Sequence, residues 1–396
     1  MAILVGENGA GKSRLLKDIA VYERGQRRVY AVANTVFDRF FGVRGIKRIS
    51  VSSGRNLPQR LLKKAIVLAS RDSLVRLRML GETVRYCGYR PEVGMQITYK
   101  GKTADPNAQR PELFQAVSNI VTLVQNEPGF LRQKRLIIEE LEELLPVILR
   151  QGFPEQTTLW LSFDDDFLQT SQSELATRIL VWERYLVSAG VIEKIDLLLR
   201  TDYSPGEIPL TEASSGQLTL IACLVFLAVS VRPGSIVLID EPENSLHPLW
   251  QREYIERLLT LLNFREVTVI IATHAPILVS GAQLIEDSDV KVYRLADGLL
   301  DLVQRQLQPG EKTSLEETVY QSFGTVTPAN HFVSETISKE FAKLRAGTTT
   351  AREVAIVVDQ MKKGSFDDQQ SSFLDGVVGL ARDIEDQRNK FGGTSA

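Results

Sequence analysis

Apolar positions along the chain switch repeatedly between a helical and an extended period. Ala2–Val5 is a short apolar run, and Leu15, Leu16, Ile19 and Ala20 then recur at helical spacing across Arg14–Tyr22. The expectation is strand, glycine loop, helix. Arg28–Phe37, rich in Val and aromatic residues, reads as a second strand, and Arg39–Pro58, punctuated by Gly and Ser, as loop. Leu57–Leu80 carries a basic amphipathic pattern, one helix or a pair. Met95–Lys100 and Leu159–Phe163 read as short strands. The first ends in the turn-like Lys100-Gly101-Lys102 and the second in Asp164-Asp165-Asp166. Pro111–Gln125 and Phe130–Gln151 have helical spacing. Ser171–Arg200 reads as one long helical stretch, with Ser171 as a cap and Glu174 three residues on.

The later part of the chain is more regular. Leu218–Val231 is a largely apolar run of 14 residues, read as a buried helix. After a Pro-Gly break, Ile236–Ile239 is apolar without interruption, as in a strand covered on both faces of a parallel sheet. Helix Leu249–Leu262 and strand Val267–Thr273 follow, then Val290–Val303, with the hairpin signal Asp297-Gly298 near its centre. From about Leu315 the tail reads as polar helix, including Val354–Asp359, and ends in a frayed Gly-Gly-Thr-Ser-Ala. No internal repeat and no long heptad run is present.

Composition changes this picture little: 396 residues, 43% hydrophobic and 24% charged, enough for two or three packed units. Charge changes it more. The net charge is −2, yet residues 1–90 hold 19 Lys+Arg against 6 Asp+Glu, and the remainder is correspondingly acidic. A basic N-terminal part fits either a polyanion surface or a solvated face that pairs with the acidic remainder. The two cysteines, Cys87 and Cys223, form no Cys-x-x-Cys, so neither a disulfide framework nor a zinc site is expected. No signal segment opens the chain, and the longest apolar run falls short of the ~20 residues that span a bilayer. The expectation is a cytoplasmic protein with no membrane partner.

Four short stretches carry chemistry. Gly6-Glu7-Asn8-Gly9-Ala10-Gly11-Lys12-Ser13 fits Gly-x-x-x-x-Gly-Lys-Ser. There backbone N–H groups cradle phosphates, Lys12 reaches the β/γ-phosphates and Ser13 offers a hydroxyl to Mg²⁺. Arg14 opens the helix whose N-terminal dipole favours an anion. Asp240 and Glu241 end the apolar strand, where ligands bind in open α/β sheets. Asp240 is placed to hold Mg²⁺, and Glu241 to orient or deprotonate an attacking water. Ser214-Ser215-Gly216-Gln217 precedes the apolar helix, either as an anion site or as a plain N-cap. Asp240 lies 24 residues after Gly216, room for one helix, one turn and one strand. His274 follows an apolar strand and can reach a γ-phosphate.

In this order the four motifs resemble the ATP-binding cassette class of ATPases. Asp-Glu-Pro-Glu-Asn-Ser-Leu-His-Pro, from Asp240 to Pro248, resembles more narrowly the SMC/RecF/OLD-like branch, which includes many phage-defence ATPases. The resemblance covers residues 1–40 and 205–300. It implies that Ser214 and Gly216 contact ATP bound to a second subunit, so that two heads sandwich two nucleotides, with Asn244–His247 communicating across the interface. His247 stands where that family commonly has Asp. The family's first strands normally precede the phosphate loop, whereas five residues precede Gly6 here: either that β-subdomain is reduced, or the start of the chain is late, or Met95–Lys100 and Leu159–Phe163 replace part of it. No upstream aromatic is available to stack on adenine, and Tyr22 and Tyr30 are weak substitutes. The expected glutamine after the second strand is also absent, leaving Asn34 and Thr35 as candidates for Mg²⁺ or water.

The sequence therefore predicts an α/β P-loop NTPase: an ABC-type head with a mostly parallel core sheet, a helical insertion and a helical tail. The expected boundaries are 1–57 and 205–305 for the two parts of the core, 58–204 for the insertion and 306–396 for the tail. The expected cofactors are ATP and Mg²⁺. The expected partners are a second copy in a dimer or higher oligomer, a separate effector such as a nuclease, and nucleic acid through the basic part. The expected role is the regulatory ATPase of an anti-phage defence or DNA-repair complex. Alternatives are a nucleotide-locked scaffold that holds an effector inactive, and a transporter cassette.

Overall fold

The structure, a computed structural model, describes all residues except 36, 51–53, 55, 73, 100–108, 126–129, 151–155, 164–170, 204–205, 263–265, 284, 286–289, 297, 304–314, 324–330, 364–367 and 393–396. The expectations for Lys100-Gly101-Lys102, Asp164-Asp165-Asp166, Asp297 and the last four residues lie wholly or largely outside the described residues.

The strands, in chain order, are β1 (Ala2–Val5), β2 (Val29–Ala33), β3 (Lys47–Ser50), β4 (Glu92–Tyr99), β5 (Gln156–Ser162), β6 (Ile192–Arg200), β7 (Glu207–Pro209), β8 (Ile236–Asp240), β9 (Thr268–Ala272), β10 (Lys291–Ala296) and β11 (Leu299–Leu302). The helices are α1 (Lys12–Glu23), α2 (Leu57–Asp72), α3 (Leu74–Tyr86), α4 (Gln109–Val124), α5 (Phe130–Arg150), α6 (Ser171–Ser188), α7 (Ser215–Ser230), α8 (Pro248–Leu262), α9 (Pro276–Gln283), α10 (Leu315–Phe323), α11 (His331–Ala346), α12 (Ala351–Lys363) and α13 (Asp368–Gly392). They fall into two compact units: residues 1–48, 234–260 and 266–396, and residues 49–233 with 261–265.

The first unit is built on a seven-stranded sheet of order β11-β10-β1-β9-β8-β2-β3. The pairs β10–β1, β1–β9, β9–β8 and β8–β2 are all parallel; β11 is antiparallel to β10. Every residue of β2 and β8 is buried, as their uninterrupted apolar runs require. On one face Leu16 and Ala20 of α1 pack with Ala31, Ala33, Leu238 and Ala272. Because neighbouring strands run the same way, the C-terminal ends of β1, β9, β8 and β2 meet at one edge.

The tail of this unit is more than solvated helix. Val354, Val358 and Met361 recur on one face of α12 and pack with Val333 and Leu344 of α11 and with Leu374 and Ala381 of α13. Their 3–4 spacing makes an apolar stripe narrow enough to be hidden by the charged residues between.

Two expectations are corrected. Residues 171–200 are not one helix. The chain leaves α6 at Ser188 through Gly190, whose φ of 75° is the left-handed conformation that ends helices. It then forms β6. Ile192, Ile195 and Leu199 are spaced three and four apart, as in a helix, and the strand buries all three only with a register irregularity in its pairing with β4, which is why the spacing alone misleads. The stretch 39–58 likewise contains β3 rather than loop throughout. With β4, β5 and β7, strand β6 completes a four-stranded antiparallel sheet of order β5-β4-β6-β7. Here Gly94 has to be glycine: an added Cβ would lie 2.8 Å from the Trp160 ring, over which the Arg200 guanidinium stacks at 3.5 Å. Helices α2 and α3, the pair expected from the basic amphipathic stretch, pack against α7.

Candidate functional site

The phosphate loop joins β1 to α1. Gly6, Gly9 and Gly11 have φ of 153°, 90° and 97°. At Gly6 a side chain is excluded outright, since a Cβ would lie 2.4 Å from the carbonyl oxygen of Leu295. No side chain caps α1: its N-cap is Gly11, so the first amides of the helix face the loop for an anion to use. Lys12 is buried, and its Nζ donates to the carbonyls of Gly6 (2.7 Å) and Glu7 (3.1 Å). An ammonium has three hydrogens, so one remains for a phosphate oxygen. Burial lowers the Lys12 pKa, while Glu241, Glu243 and Asp240 pull the other way. Asn8, Gly9 and Arg14 are exposed; Ala10 is half-buried, and its N–H bonds the Glu7 carbonyl.

Ser13 and Asp240 are 227 residues apart in sequence and meet directly, the Ser13 Oγ donating to Asp240 Oδ1 at 2.9 Å. The other oxygen of Asp240 is buried with no hydrogen-bond partner among the described residues. Burial, ahead of every other cause, raises the Asp240 carboxyl to about 6; Glu241 and Glu243 add to this, and Ser13 and Lys12 oppose it. A half-buried hydroxyl paired with a buried carboxylate that has one oxygen unsatisfied fits a hard divalent cation such as Mg²⁺. No three His, Cys, Asp or Glu converge as a ligand set among the described residues. Such an ion would therefore be held by Ser13, Asp240 and phosphate oxygens, as Mg²⁺ prefers.

Glu241 follows Asp240 with a φ of 49°, a left-handed conformation uncommon for a residue with a side chain. Its N–H bonds the Ala272 carbonyl at 2.9 Å, and its Oε2 accepts from the Asn244 amide at 2.9 Å. The same Asn244 Nδ2 donates to the Asn34 carbonyl at 3.0 Å. Asn34 is itself buried, with its amide directed at the Pro242 carbonyl. The structure thus gives Asn34 a bracing role in the loop after β8, and Thr35 Oγ donates to the Phe37 carbonyl. The Asn34 N–H also donates to the Asp240 carbonyl at 3.0 Å. His274 lies past the end of β9, its Nδ1 3.6 Å from Glu241 Oε1 and 3.2 Å from Glu243 Oε1. Glu243, which the sequence reading did not single out, is buried there and accepts from Thr273 Oγ and from the His274 N–H. No pattern in the sequence marks it, because its partners lie 30 and 31 residues on.

Lys12, Ser13, Asp240, Glu241 and His274 are therefore brought to one sheet edge. Ser214–Gln217 belongs to the second unit. There a full capping box opens α7: Gln217 N–H donates to Ser214 Oγ, and Ser214 N–H to Gln217 Oε1. Gln217 is also held by Tyr89, whose hydroxyl donates to its Oε1 at 2.8 Å, and by the Cys87 carbonyl, which accepts from its Nε2 at 3.0 Å. Both amide atoms of Gln217 are thus engaged within its own unit, whereas Ser214 and Ser215 are exposed and Gly216 is buried. His247 is exposed, and its Nδ1 accepts from the Leu249 N–H at the start of α8.

Residues 119–280 match a family model described as "AAA domain, putative AbiEii toxin, Type IV TA system". The matched span includes Ser214–Gln217, Asp240–Glu241 and His274. No curated protein sequence matches the chain. Among solved structures, the chain is similar to the Smc head domain with an extended coiled coil, bound to the C-terminal domain of ScpA, from Pyrococcus furiosus. That likeness has 10% identity and a TM-score of 0.30, and covers 76% of this chain and 89% of that one.

Proposed function

We propose that this chain is an ABC/SMC-like P-loop ATPase that binds and hydrolyses ATP with Mg²⁺ between two copies of itself. The observation that carries this reading is the meeting of Lys12, the Ser13–Asp240 pair, Glu241 and His274 at one edge of a parallel sheet. The glycine loop and Lys12 hold the β- and γ-phosphates. Ser13 and Asp240 would hold Mg²⁺, which would supply neutralisation of charge on the phosphate oxygens. Glu241 is a carboxylate beside that pair that is partly exposed, where Glu243 is buried, and it is fixed by Asn244, so it can take the proton of an attacking water. His274 stands at the end of the next strand to meet the γ-phosphate. Ser214, Ser215 and Gly216 at the N-terminus of α7 face the ATP of a second copy; Gln217 supports them as the cap.

The role is that of the sensor or regulatory ATPase of an anti-phage defence or DNA-repair complex, acting with a separate effector such as a nuclease. The basic N-terminal part offers a surface for nucleic acid. The description of the matched family, a putative toxin of a toxin–antitoxin system, favours such a role over transport. The experiment is sedimentation of the Glu241→Gln chain with ATP and Mg²⁺. It should move to twice the chain mass with one ATP per chain, and Ser214→Arg should abolish the shift. A Glu241→Gln chain that stays monomeric with ATP bound would contradict the sandwich. Loss of duplex DNA binding with rising salt tests the nucleic-acid part, and absence of binding at low salt removes it.

A further inference from the structure

We propose that Glu243 is a positioning residue that fixes the tautomer of His274, and this rests on the reading of His274 as a group that meets the γ-phosphate. Glu243 sits in the loop after β8, almost wholly buried, yet its carboxylate accepts from residues just past the end of β9. A single oxygen, Oε1, accepts from Thr273 Oγ at 2.7 Å and from the His274 N–H at 2.8 Å, and lies 3.2 Å from His274 Nδ1. Thr273 Oγ in turn accepts from the Ala275 N–H at 3.0 Å. One carboxylate thus closes the turn at residues 273–275 and reaches the imidazole from the same atom.

A carboxylate can only accept, so the ring nitrogen beside it carries the hydrogen. Nδ1–H then belongs to Glu243 and Nε2 is left as the nitrogen that can act on a ligand. The alternative partner for Nδ1 is Glu241, whose Oε1 is 3.6 Å away, beyond hydrogen-bond reach. By holding Nδ1, Glu243 keeps the ring from capping the carboxylate that serves the water. Glu241 is left with the Asn244 amide on its other oxygen.

The direct test is the ¹⁵N spectrum of the imidazoles, at a pH where they are neutral; the chain has only three histidines. The His274 signal is assigned by its loss in His274→Gln. In the wild-type chain His274 should be the Nδ1–H tautomer, and the Nε2–H tautomer would overturn the proposal without any variant having to fold. Glu243→Ala should release the ring to a tautomer mixture and lower kcat about 10-fold or more, with the KM for ATP within about 3-fold. Glu243→Gln, which keeps an acceptor at Oε1, should restore both the tautomer and most of kcat. A tautomer unchanged in Glu243→Ala, or Glu243→Gln as impaired as Glu243→Ala, would sink the idea. The spectrum needs no turnover, so a chain with the predicted tautomer and no ATPase activity would defeat the ATPase reading and leave this one standing.

Discussion

In the proposed reaction Glu241 must be held still to serve a water, and at the residue scale the group that holds it is Asn244. Its amide ties the carboxylate to the Asn34 carbonyl across two strands. Asn244→Ala leaves both acceptors unpaired at a cost of about 1–3 kcal/mol. Steady-state kinetics should show kcat reduced about 10-fold with nucleotide affinity little changed. An unchanged kcat would mean that Glu241 is held by its backbone alone. Asp240 gives a second prediction, in pH. Its carboxyl is raised from 3.8 to about 6, so between those values the folded chain holds a proton that the unfolded chain has released. The stability it contributes is full below the lower value and is lost as pH rises through about 6. Metal-free Asp240→Asn lacks this loss. Its stability relative to wild type should therefore rise from pH 4 to pH 7, by on the order of 2–3 kcal/mol in denaturant titrations. A difference that is flat in pH would show that Asp240 is not desolvated.

At the scale of elements, how much was legible depended on how the apolar positions were written. β8 and α7 were plain because the apolar run of β8 is uninterrupted and that of α7 nearly so, and all of β8 and most of α7 is buried. The phosphate loop was plain because its glycines answer a backbone demand, most sharply at Gly6 against Leu295. β6 was hidden because Ile192, Ile195 and Leu199 have helical spacing, the strand's alternation being broken by an irregularity opposite β4, and only Gly190 marks the break. The core of α11–α13 was hidden by the charges between its apolar positions, and Glu243 by partners 30 residues distant. Two glycines test the packing itself. At Gly281 in α9 a Cβ would fall 1.9 Å from the Arg252 carbonyl oxygen of α8, so Gly281→Ala should cost about 1–3 kcal/mol or more by overpacking. At Gly379 in α13 nothing lies within 4 Å, so Gly379→Ala should stabilise by about 0.5–1 kcal/mol. Thermal unfolding should move in opposite directions for the two. A common direction would refute the close approach of α8 and α9 or the open surface of α13.

At the scale of the molecule, the chemistry is divided between the two units. Phosphate loop, Asp240, Glu241 and His274 belong to the first, and the capped N-terminus of α7 to the second. In the proposed account each chain offers one complete nucleotide-binding edge and one α7 N-terminus for its neighbour. Tyr89 and Cys87, by gripping Gln217, make the orientation of that N-terminus depend on the turn after α3. The whole account stands on ATP being bound and turned over at the edge where Lys12 and Glu241 meet. Its most direct measurement compares phosphate release and retained nucleotide for the wild-type chain, Glu241→Gln and Lys12→Ala, with ATP and Mg²⁺. The account predicts release by wild type, retained ATP with release cut about 10²-fold or more in Glu241→Gln, and neither binding nor release in Lys12→Ala. Equal phosphate release by wild type and Glu241→Gln, or no ATP bound by either, would contradict it.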